Sequence, residues 1–125
     1  MRLLLDIHVY LWWLQDNRKL SRAGRAKITA ADEVFISSAS IWEASIKAGL
    51  GKLDVDVNAL VSEIANSGFL ELPVSALHAA RLMMLPDIHR DPFDRILIAQ
   101  AMCEPLRFLT IDSVLQSYSD LVEGI

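Results

Sequence analysis

The sequence predicts an α/β domain built on a mainly parallel sheet. Three observations carry that prediction. Short apolar runs, several rich in β-branched and aromatic residues, recur along the chain. Longer segments with helical periodicity lie between them. Ser, Asp, Gly or Pro bounds most of these segments, and such residues cap helices or stop strands. Alternation of this kind implies strand–helix–strand units whose strands run parallel.

The elements follow in order. Residues 2–5 form an apolar run that ends at Asp6 and reads as a buried strand. Residues 9–14 read as a helix, with Trp12 and Trp13 near its end. Ser21 is a candidate N-cap for a helix over about 22–31. Residues 34–37 are β-branched and aromatic, hence a second strand. Ser38 or Ser40 can cap the next helix, which carries Ile41, Trp42, Ala44 and Ile46 and stops at Gly49 as its C′ residue. Residues 56–65 place Val57, Leu60, Val61 and Ile64 on one stripe, an amphipathic helix. Residues 69–72 form a brief strand stopped by Pro73, and 75–84 a helix stopped by Pro86. Asp91-Pro92 opens a strong helix that runs to Met102, because Pro suits the first helical position. Residues 106–111 form a strand ending at Asp112, and the tail holds a short helix and an edge strand.

Composition narrows the function classes. With 53% hydrophobic residues in a chain of 125, there is ample apolar material for one folded domain over 1–125, which excludes disorder. The longest apolar runs, such as 9–14, are far shorter than the roughly 20 residues of a membrane-spanning helix. The opening apolar stretch is too short for a signal-peptide core and lacks a small-residue cleavage site, so a cytoplasmic protein is expected. The lone Cys103 cannot form an internal disulfide and is expected to be a buried thiol. A net charge of −4 argues mildly against a nucleic-acid partner. Against that, Arg18, Lys19, Arg22, Arg25 and Lys27 form a local basic run, either a solvated helix face or a set of phosphate contacts.

The acids have a pattern. Asp6 and Asp112 each follow a strand directly. Glu43 lies in the early turns of the helix after the second strand, and Asp91 and Asp94 open the helix that follows Pro86. In a parallel sheet such positions share one edge, where functional groups gather. Carboxylates brought together repel one another and need a counter-charge. A hard divalent cation, Mg²⁺ or Mn²⁺, supplies it, and such a site can activate water and support in-line phosphoryl displacement. His8, His78 and His89 lie on separate segments, without zinc-site spacing. Each acid also has a plain structural role open to it. Asp91 reads as an N-cap, Asp94 and Glu43 as dipole partners and Asp112 as a cap, while Asp6 is the hardest to explain so. The remaining acids read as surface charges.

Four blocks carry a family resemblance. MRLLLDIHVYLWWL (1–14), SSASIWEASIKAGLGKL (37–53), HRDPFDRILIAQA (89–101) and FLTIDSVLQSY (108–118) resemble, in order, the blocks of PIN-domain proteins of the VapC toxin type. The resemblance spans nearly the whole chain. It implies a PIN-like three-layer α/β/α fold and a Mg²⁺-dependent endoribonuclease, with Mn²⁺ as a substitute. It also implies the toxin of a type II toxin–antitoxin pair, acting on tRNA or another structured RNA, neutralised by a small antitoxin and commonly homodimeric. By position it makes Asp6 and Asp94 direct metal ligands, with Glu43 and Asp112 completing the catalytic pocket. One departure stands out: Ile7 occupies a position where the family often has Thr or Ser, so a hydroxyl near the metal is lost.

Other features of the sequence have plainer readings. The stretch Gly49-Leu50-Gly51-Lys52 lacks phosphate-loop spacing and reads as a helix cap and turn. Arg95 is either a phosphate contact or an ion-pair partner of a nearby acid. Trp12, Trp13, Leu14 and Trp42 belong to the core or to a partner surface. A signalling receiver domain needs a late Lys after a strand, and there is no Lys beyond Lys52. A non-catalytic PIN-fold binding module is the alternative function.

Overall fold

A computed structural model describes all 125 residues. The chain alternates strands and helices: β1 (Arg2–Leu5), α1 (Ile7–Leu14), α2 (Arg22–Ala30), β2 (Glu33–Ser37), α3 (Ser38–Gly49), α4 (Val57–Asn66), β3 (Leu70–Leu72), α5 (Ala76–Arg81), a 3₁₀ turn (Leu82–Met84), α6 (Pro92–Cys103), β4 (Arg107–Thr110), a 3₁₀ helix (Ser113–Tyr118) and β5 (Val122–Gly124). All four strand pairings are parallel, in the order β3-β2-β1-β4-β5. The α/β expectation is met.

β1 is central because its side chains suit burial on both faces. Leu3, Leu4 and Leu5 are fully buried. Strand alternation sends Leu3 and Leu5 into one core with Val9 and Tyr10 of α1, Ile28 of α2 and Leu60 and Ile64 of α4. Leu4 enters the opposite core with Leu97, Ile98 and Ala101 of α6 and Leu115. Helices thus cover both faces, as a parallel sheet requires.

The topology positions the site. From β1 the chain winds outward through β2 to β3, then α5 and α6 carry it back to the other side as β4 and β5. β1 and β4 are neighbours whose connections leave in opposite directions. Such a switch point opens a crevice at the carboxyl ends of the strands.

Local chemistry corrects several expected boundaries. Ser37, rather than Ser38 or Ser40, caps α3: its hydroxyl accepts from the Ala39 amide at 3.0 Å. Gly49 is the last residue of α3, and the left-handed turn falls to Gly51 at φ +72°, where only open space surrounds the missing Cβ. The expected helix over 75–84 divides into α5 and the 3₁₀ turn. Cys103 ends α6 and is exposed, not buried. Arg95 makes no ion pair. Its guanidinium donates to the carbonyls of Pro86 (3.0 Å), Leu82 (3.3 Å) and His89 (3.4 Å) and to the Tyr118 hydroxyl (3.2 Å), clamping the segment before α6. No helix is long and apolar enough to cross a membrane.

Candidate metal centre

Asp6 leaves β1 and caps α1 in a single step. Its Oδ1 accepts from the amides of His8 (2.7 Å) and Val9 (3.2 Å), and its Oδ2 accepts from the Thr110 hydroxyl (3.0 Å). The carboxylate is almost wholly buried, yet three donors hold it. Its structural role and its site position are therefore compatible. Thr110, the last residue of β4, also accepts from the Asp112 amide at 3.1 Å. One buried hydroxyl thus ties the ends of β1 and β4 together.

Asp112 caps the 3₁₀ helix through the Val114 amide (3.1 Å), as expected of it. Asp91 caps α6 through the Phe93 amide (2.9 Å), and Asp94 stands one turn further in. Glu43 is the sixth residue of α3, too deep to serve the first-turn dipole. Its carboxylate is buried and accepts from the Lys47 ammonium at 2.6 Å.

These groups meet. A cleft of about 180 Å³ is lined by Asp6, Glu43, Asp91, Asp94 and Asp112, together with His8 and Lys47. All four sequence-predicted acids are among them. Ligand-capable atoms of Asp94, Asp112 and His89 lie within 4.8 Å of one another. His89 also reaches Asp94 directly, Nε2 to Oδ2, at 3.0 Å.

The electrostatics follow from crowding. Burial pushes the Asp94 carboxyl up to about 6, the charges of Asp91 and Asp6 add to the rise, and the contact with His89 opposes it. The Lys47 ammonium is held above its ordinary value, chiefly by its hydrogen bond to Glu43 and further by Asp91 and Asp94. A cleft that buries carboxylates and also crowds their charges favours a bound counter-cation. Its candidate ligand atoms are mostly carboxylate oxygens, with the imidazoles of His8 and His89 beside them, a set that suits Mg²⁺ or Mn²⁺. The residues present fit a divalent cation.

Sequence reasoning missed Lys47, Thr110 and His89. Lys47 follows Glu43 by four residues, a helical spacing that signals a neighbouring side chain. Thr110 precedes Asp112 on the same strand end, and His89 opens the third block, but only the tertiary fold gives either its partner. The basic run begins beyond the C-terminal end of α1, the opposite end from Asp6. Arg25 there is bound to Asp16 (3.2 Å), and Lys27 pairs with Glu123. Trp12 and Trp13 are half-buried, whereas Trp42 is 64% exposed.

Known proteins are similar to this chain in sequence and in fold. The chain is 29% identical over 118 residues to Ribonuclease VapC22 of Mycobacterium tuberculosis, covering 92% of this chain and 90% of that protein. In fold it is similar to a VapBC2 chain from Rickettsia felis, solved bound to a promoter DNA fragment (TM-score 0.71, 14% identity, 99% and 98% of the two chains). It is also similar to a chain of a toxin–antitoxin complex from Klebsiella pneumoniae (TM-score 0.66, 19% identity, 98% of each chain). FitAcB from Neisseria gonorrhoeae gives a TM-score of 0.68 at 18% identity, over 98% and 96% of the two chains. Residues 3–121 match the PIN domain, nearly the full length, with the switch-point acids inside the matched span. The resemblance drawn from the four sequence blocks is therefore borne out: this chain belongs to the PIN-domain family.

Proposed function

We propose that the chain is a Mg²⁺-dependent endoribonuclease and the toxin of a type II toxin–antitoxin pair. One observation carries the reading: Asp6, Glu43, Asp94 and Asp112, from four separate segments, line one cleft at the switch point of the sheet. A purely structural set of caps has no reason to converge at such a cost in repulsion. The likeness to a protein named as a ribonuclease supports the substrate class.

In this reading Asp6 and Asp94 hold the ion directly, Glu43 and Asp112 complete the pocket, and Mn²⁺ substitutes for Mg²⁺. When bound, the cation lowers the pKa of water and offsets charge developing on phosphate oxygens. The protein's contribution is preorganisation. Three donors fix Asp6 before any ligand arrives, and Thr110 sets its orientation relative to Asp112. His89 contacts Asp94 and limits the positions its carboxylate can take.

The partner is a small antitoxin, and a second copy of the chain forms a homodimer. Similarity to chains solved in toxin–antitoxin complexes supports the first. An apolar trough of about 390 Å³, lined by Trp42, Val74, Leu82, Phe93 and Ile96, supports a protein partner of one kind or the other. The chain is expected to act in the cytoplasm on tRNA or another structured RNA.

The test is incubation of the purified chain with total RNA, with and without Mg²⁺ or Mn²⁺. Discrete products that disappear on chelation are expected. Absence of cleavage together with absence of Mn²⁺ binding overturns the reading in favour of a non-catalytic PIN-fold binding module.

A further inference from the structure

Lys47 is the one permanently cationic side chain that lines the acid cleft. Its neighbours there include five carboxylates. Its ammonium sits 2.6 Å from Oε2 of Glu43, whose own side chain is only 7% exposed, while that of Lys47 is 38% exposed. The group therefore bridges a buried acid and the open mouth of the cleft. An ordinary helical Glu–Lys pair four residues apart lies on a solvated face and adds a few tenths of a kcal/mol to helix stability. This pair differs because the acid faces inward, among Asp91 and Asp94, where a positive charge has most to do.

We propose that Lys47 is a built-in counter-cation with two alternating partners: Glu43 when no divalent ion is present, and a phosphate oxygen of the RNA when one is. This role rests on the activity proposed above and adds to the acids of the cleft a cation that works with them. In the ion-free cleft, Lys47 neutralises part of the crowded negative charge. A divalent ion drawing on Glu43 competes with the ammonium for the same oxygens. The displaced ammonium is tethered to α3 on a flexible four-carbon stem and remains at the mouth of the cleft. A polyanion approaching this acidic rim finds there a free, compact cation able to donate to a phosphate oxygen. Arg95 does not compete for that task, because backbone carbonyls and Tyr118 occupy its guanidinium.

The prediction separates Lys47 from a residue that merely props the helix, because two readouts move in opposite directions. In Lys47→Gln, calorimetric titration of the full chain with Mn²⁺ alone should show binding tighter by roughly three- to tenfold, since Glu43 is released and a repelling charge is gone. The same variant should cleave RNA with KM raised by roughly three- to tenfold and kcat changed less. The slope of log KM against log salt should fall by about 0.7, the signature of one lost contact to a single strand. Lys47→Arg should restore the RNA arm. Mn²⁺ affinity in Lys47→Gln that is unchanged or weaker overturns the competition, and an unchanged KM and salt slope overturn the phosphate contact. Failure of the wild-type chain to cut RNA refutes the activity and the phosphate contact together. The Mn²⁺ titration still decides whether Lys47 competes for Glu43.

Discussion

Two surfaces of this molecule are built from the same pair of helices and share almost no chemistry. The acid cleft takes Glu43 and Lys47 from α3 and Asp94 from α6. The trough takes Trp42 from α3 and Phe93 from α6, the residues immediately before two of those acids, with ring centroids 5.1 Å apart. Successive helical residues point about 100° apart, so one step along each helix moves from the polar surface to the apolar one. Two surfaces of opposite chemistry are thus set side by side on one pair of helices. A partner seated in the trough lies beside the cleft without needing to enter it.

Damage confined to the cleft should separate the two surfaces most clearly. If Asp6 and Asp94 hold the ion as proposed, Asp94→Asn and Asp6→Asn should each lower RNA cleavage by at least about a hundredfold, because each removes a charged ligand. Asp94→Asn should also stabilise the ion-free chain at neutral pH by up to about 3 kcal/mol, since it removes a carboxyl pushed up to about 6. Cleavage and stability moving in opposite directions, read by gel assay and by urea denaturation, would mark the acid as functional rather than structural.

A smaller effect is expected from Thr110→Val. It keeps the shape of a fully buried residue while removing the hydroxyl that binds Asp6 and receives the Asp112 amide. Divalent-ion affinity should fall by about tenfold, as for other groups that orient a metal ligand, with the chain still folded. Calorimetry with Mn²⁺ checks the first statement and thermal unfolding the second.

The pH dependence of stability has a definite sign. A folded-state Asp94 raised to about 6 holds its proton over a range in which the unfolded chain has lost it. The native state then binds more protons, so this group's contribution falls as pH rises from about 4 to about 6 and stays low above that. Urea denaturation in chelator should show the loss, and Mn²⁺ should remove it by favouring the charged form. Last, Trp42→Ala should leave cleavage by the isolated chain within about twofold while weakening partner association by about 2 kcal/mol or more, as for a central aromatic anchor. A Trp42→Ala chain that binds its partner normally would separate the trough from any docking role.

The acids were legible for a physical reason. Asp6 and Asp112 end apolar strands, and Asp94 follows a proline that can only open a helix, so parallel topology alone brings them to one edge. Glu43 was legible as a member but not in its role, because it lies on the second turn of α3 and faces inward through helical phase. Thr110 and His89 escaped because their meaning is a contact with a residue far away or around a bend. Arg95 misled because a guanidinium beside an acid suggests an ion pair, whereas the fold turns it onto carbonyls before α6. Cys103 misled in another way: an apolar helical pattern places it inside, but the helix ends on it and leaves it exposed. The trough was the least legible region. A lone Trp at helical spacing reads equally as core, and only packing shows that Trp42 has no cover.

Anomalous scattering from Mn²⁺ soaked into crystals of the wild-type chain would locate the ion itself. A peak is expected in the cleft within about 2.2 Å of carboxylate oxygens of Asp6 and Asp94, and none in Asp94→Asn crystals. A peak placed elsewhere, or none in the wild type at millimolar Mn²⁺, would contradict it.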